Sequence, residues 1–149
     1  SDMAMDLWGF KDTRELEKNT SDYPETILKK QISALGEKTG FVLYGKPLYM
    51  RVKNSDIEYK AATIFDVVVP VLDNYQKTIL ILYSNFENNY PVAISVGKSY
   101  AEDLEDFNPS YTCENLESFV DTLKNILSSD DVMDVIKTLY SKANMLAND

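Results

Sequence analysis

The 149-residue chain contains no histidine. That absence removes the Ser-His-Asp triad, the Cys-His pair and every imidazole metal ligand from its own chemistry. A single cysteine, Cys113, excludes an intrachain disulfide and a thiolate zinc cage. It reads as a small, half-buried residue near a helix start, and a reducing compartment suits it, so the expected location is the cytoplasm. Glycine is scarce and scattered, five in all, which leaves no glycine-rich loop to cradle a phosphate. No apolar run approaches the roughly 18 residues of a membrane span. The opening "SDMAMDLWGF" lacks the basic start and continuous apolar stretch of a secretory signal. Ser1 and Asp2, ahead of Met3, read as a cloning remnant.

Base is the other scarcity, and it is local. The formal charge is −9. Residues 1–72 are nearly balanced, with 10 Lys/Arg against 11 Asp/Glu, whereas residues 73–149 hold 5 against 13. Between Glu102 and Asp134 ten acids accompany one base, Lys124. Such a surface repels nucleic-acid phosphates and anionic lipid headgroups, so neither nucleic acid nor membrane is an expected partner. It attracts cations or a basic protein.

What is present describes one ordinary domain. The apolar (44%) and charged (26%) fractions are those of a globular protein, and the length suffices for a core without staples. Residues 1–20 read as an N-terminal arm carrying the lone tryptophan in "LWGF" and the mixed-charge run "KDTRELEKN". Trp8 and Phe10 either pin this arm to the body or dock in a second copy. Residues 21–149 form the domain. In "YPETILKKQISALGEKTG", Pro24 suits a first helical position, Ile27, Leu28, Ile32 and Leu35 recur at helical spacing, and Gly40 supplies the stop.

From Phe41 the period shortens. "FVLYGKPLYMRVK" reads as two short strands or one bent one, "NSD" as a turn, and "IEYKAATIFDVVVPVL" as a long strand with Pro70 near its end. "KTILILYS" and "YPVAISVG" make a further pair around the loop that holds Phe86 and Tyr90. An acidic connection, "KSYAEDLEDFNPSYTCEN", leads to two apolar stripes. The first runs from Leu116 to Leu127 and the second from Val132 to Ala143, with Ser128 or Ser129 capping the second helix. The expected fold is α+β: an antiparallel four- to five-stranded sheet with an N-terminal helix and a C-terminal helical pair packed on it.

One short pattern resembles an enzyme core. "DIEYK" places Glu58-x-Lys60 on a predicted strand that follows a helix and two strands, an order similar to that of the PD-(D/E)xK nucleases. There an acid on the preceding strand joins the E-x-K pair to hold magnesium. The resemblance spans residues 24–66, and "PLYMRVK" offers no such acid, so a solvated charge pair is the favoured reading. "EDLED" lacks the glycine and the alternating oxygen ligands of a calcium loop. No catalytic residue, cofactor or metal ligand is assigned.

The remaining signal is aromatic and amidic. Phe86 and Tyr90 lie among Asn85, Asn88 and Asn89, just ahead of Glu102, Asp103, Glu105 and Asp106. Aromatic anchors beside carboxylates suit protein recognition. Small acidic α+β chains without catalytic equipment resemble, as a class, bacterial immunity proteins, which bind a toxin, often a basic nuclease. That likeness implies a non-enzymatic binder of a basic partner, with Phe86, Tyr90, Glu102, Asp103, Glu105 and Asp106 as contacts. The alternatives are a self-associating scaffold domain that dimerises through its arm and a magnesium-dependent nuclease using Glu58 and Lys60.

Overall fold

The structure, a computed structural model, describes residues 4–147; the suggested remnant Ser1–Asp2 lies outside them. Helix α1 (Pro24–Lys38) begins at its proline, as the missing amide hydrogen there predicts. Leu28 and Ile32 are buried along one stripe, and each contributes about 2–3 kcal/mol by leaving water. The helix ends on Thr39. Its hydroxyl lies 2.9 Å from both the Leu35 and the Leu43 carbonyl oxygens and donates its one proton between them, and Gly40 follows at φ +59°.

Five strands follow in a meander: β1 (Tyr44–Arg51), β2 (Ala61–Val69), β3 (Tyr75–Ser84), β4 (Val92–Val96) and β5 (Tyr111–Cys113). They lie side by side in chain order, every pair antiparallel. "FVLYGKPLYMRVK" therefore holds one strand and not two, and its Pro47 is tolerated because β1 is an edge. The sheet closes with α2 (Leu116–Leu127) and α3 (Asp130–Ala147). Asn115 caps α2 by accepting from the Ser118 amide at 2.9 Å, and the Ser129 hydroxyl accepts from the Val132 amide at 3.3 Å. The α+β architecture is the expected one, with all five strands present.

Both faces of the sheet are covered, for different reasons. Phe65, Val67, Leu80, Leu82 and Ile94 point to the helix side and join Leu28, Phe119, Leu123 and Ile126 in the main core. Between Phe65 and Asp66 the register slips against β3, so Ile79 and Leu80 both reach that core. On the opposite face Ile64, Ile81, Tyr83 and Ala93 carry a second cluster, closed by Val52, Ile57 and Tyr59 from the β1–β2 connection. Tyr100 and Phe107 from the β4–β5 connection complete the cover. The nearly continuous apolar run "ILILYS" answers to this double burial.

One contact fixes α1 against β1. A Cβ added at Gly45 would fall on the Ile32 carbonyl oxygen and within 2.8 Å of Ile32 Cγ2. Glycine lets the helix backbone rest directly on the strand.

Candidate functional site

Of the sequence-predicted contacts, Phe86 and the pair Glu102–Asp103 border the end of β1 from opposite faces of the sheet, while Tyr90 packs on the main core. Tyr49 pairs with Thr63, and Arg51 with Ala61, which pairs with Ser84. Odd-numbered residues of β1 therefore share the helix-side face with Thr63, Leu82 and Ser84. The sheet outruns α1 here, leaving an open groove of about 490 Å³ ahead of the helix start, bordered by Tyr23, Tyr49, Arg51, Ser84, Asn85 and Phe86. Phe86 is 72% exposed. Ser84 lines the groove but is buried, and its hydroxyl has no hydrogen-bond partner.

On the other face of the same strand end lies a second hollow of about 510 Å³, lined by Met50, Arg51, Lys53, Tyr100, Glu102 and Asp103. Met50 and Arg51 border both depressions. The acidic loop is exposed yet firmly held. Tyr83 is wholly buried, and its hydroxyl accepts from the Ala101 amide at 3.1 Å. The Asn54 amide donates to the Glu102 carbonyl at 3.3 Å, and the Lys98 ammonium to the Asn108 carbonyl at 2.6 Å. Phe107 meets Tyr83 edge-on at 4.9 Å between ring centres. Glu105 and Asp106 sit on a short exposed 3₁₀ turn, Leu104–Asp106, between these anchors.

Burial pushes the Tyr83 phenol above its usual range, the Ala101 amide opposing this. The Tyr100 phenol also rises, first through burial and then through the nearby Glu102 charge.

Tyr90 departs from expectation. It is not an exposed anchor: the ring is partly buried against the main core, 6.4 Å from Phe119 between centres, and its hydroxyl is buried without a partner. Burial raises its pKa, with Cys113, Glu25 and Asp22 adding to the effect. The loop between β3 and β4 thus presents Phe86 outward and turns Tyr90 inward. The acidic run divides as well. Glu102–Asp106 backs onto the second face, whereas the acids of α2 and α3 ride on helices that cover the first. Cys113 is fully buried, not half-buried.

Glu58 and Lys60 do not lie on a strand; β2 begins at Ala61. Both side chains are exposed, and the Lys60 ammonium donates to the Ile57 carbonyl at 3.0 Å. Among the described residues no three Cys, Asp or Glu side chains are grouped to hold a metal ion, and no helix is long and apolar enough to cross a membrane. Trp8 stands 78% exposed, 6.0 Å from Phe10 between ring centres, and the 3₁₀ turn Thr13–Leu16 buries nothing. Sequence reasoning missed Tyr49, Arg51 and Ser84, which only the strand pairing brings beside Phe86. No family model, curated protein or solved structure matches this chain.

Proposed function

We propose that the protein is a non-enzymatic binding module for a basic protein, of the kind that neutralises a toxin. One observation carries this reading. Glu102, Asp103, Glu105 and Asp106 are exposed on an anchored loop, and among the described residues the sole ion pair is Arg14–Asp12. The loop's charge is therefore uncompensated within 4 Å although Arg51 and Lys53 border the same hollow. Uncompensated carboxylates steer a cationic partner, and exposed Phe86 supplies an anchor at the other side of β1. Tyr90 acts from beneath, fixing the loop that presents Phe86.

The test is capture from the source lysate on immobilised protein. A basic protein retained by the wild type and released by charge reversal at 102–106 supports the reading. Retention of no basic protein, or retention indifferent to the reversal, overturns it.

A second reading, self-association through the arm, is favoured by the exposure of Met5, Leu7 and Trp8 on a segment in which none of the described residues is fully buried. Sedimentation with and without residues 1–20 decides it: a dimer that becomes a monomer on truncation supports it, and a monomer throughout removes it.

A further inference from the structure

Among the described residues the outer edge of β1 carries no neighbouring strand. The Val52 amide donates to the Lys60 carbonyl at 2.9 Å, so even-numbered residues here turn their backbone groups toward β2 and odd-numbered ones turn outward. Pro47 fits this alternation, since it falls on the outward row where no donor is required. Gly45 is pressed against α1. Among the described residues the outward row therefore stays open at Tyr49 and Arg51 and on to Lys53, two residues past the end of β1, and none of these three amides donates to the backbone of a turn or loop. That open stretch is flanked on one face by the groove with the unpaired Ser84 hydroxyl and on the other by the hollow with Glu102 and Asp103.

We infer that residues 49–53 accept an extended strand of the basic partner, added antiparallel to the sheet edge. Side chains of an added strand alternate between the two faces. One set enters the groove beside Tyr49 and Phe86 and suits apolar residues. The other set faces Glu102 and Asp103 and suits lysine or arginine. The recognised element is then a short β-strand with alternating apolar and basic side chains. A second copy of β1 is a poor occupant, because Pro47 interrupts the donor row and leaves only three outward-facing amides, at Tyr49, Arg51 and Lys53, for each copy to offer. The inference rests on the acidic-loop reading above and adds the backbone geometry of contact.

The probe is an end-capped octapeptide alternating valine and lysine, with two controls: the same peptide N-methylated at its valines, and a valine–glutamate version. Residues opposite one another in a ladder share a face, so the valines are the residues whose amides would pair with β1. The expected result is binding of the valine–lysine peptide, at least tenfold weaker after N-methylation, with slowed hydrogen exchange at Tyr49, Arg51 and Lys53. Equal binding of the N-methylated peptide overturns strand addition while leaving recognition by the acidic loop intact. Equal binding of the glutamate peptide overturns the charge reading itself. No binding of the valine–lysine peptide also refutes strand addition, and lysate capture then judges the function separately.

Discussion

Replacing Tyr83 by phenylalanine isolates the bond that holds the acidic loop. The ring keeps its place beside Tyr100, at 6.2 Å, and Phe107, at 4.9 Å, so packing is conserved. What is lost is the acceptor of the Ala101 amide, on a residue that is 4% exposed. A buried donor left without a partner costs about 1–3 kcal/mol. For a chain of this size each kcal/mol moves Tm by roughly 2–4 °C, so a fall of about 4–8 °C is expected for a mid-range loss. The assay is urea and thermal unfolding followed by circular dichroism, together with hydrogen exchange at Ala101. The Ala101 amide should exchange at least tenfold faster, and affinity for a basic partner should fall as Glu102 and Asp103 lose their fixed placement. Unchanged stability with an equally protected Ala101 amide would refute the claim that this bond pins the loop.

Other perturbations separate the roles of single residues. Gly45→Ala drives a methyl into the α1 backbone and should destabilise by at least the ~1–3 kcal/mol of ordinary overpacking, visible as a lower urea midpoint. Phe86→Ala should leave stability within ~0.5 kcal/mol while weakening partner binding. Tyr90→Ala should instead destabilise the fold by about 3 kcal/mol or more, and Tyr90→Phe should be neutral or slightly stabilising because it removes an unpaired buried hydroxyl. Alkaline titration above pH 10 should weaken the fold. Burial raises the Tyr59 phenol from about 10 to about 12, with Glu58 the next cause, so its contribution is intact below pH 10. That contribution is lost as pH rises from 10 through 12, and a Tyr59→Phe variant with the same alkaline midpoint would contradict this.

How much of this was legible depended on whether a residue's environment is local. Pro24, the Ile27–Leu35 spacing and Gly40 specify α1 by themselves, because helix termini and stripes are properties of neighbouring residues. The β-branched runs specify four strands in the same way. β5 has three residues, Tyr111–Cys113, set in an acidic stretch, too few for a period of two to show. Tyr90 reads as exposed because it sits in a polar loop, yet it packs on Phe119, which lies 29 positions later in the chain. The groove is less legible still, since Tyr49, Ser84 and Phe86 meet only through the β1–β2–β3 register. The division of the acids between the two faces follows from which face each segment covers, which composition does not contain.

The central claim is that the acidic loop steers and holds a basic protein at the end of β1. Its most direct measurement is the association rate of the captured partner as a function of ionic strength, for the wild type and for a variant carrying Glu102→Gln, Asp103→Asn, Glu105→Gln and Asp106→Asn. All four side chains are exposed, so the variant should fold normally. The wild-type rate should fall steeply between low and physiological salt, and the variant should associate about tenfold more slowly at low salt with a flatter dependence. Identical rates and identical salt dependence for the two proteins would contradict the account.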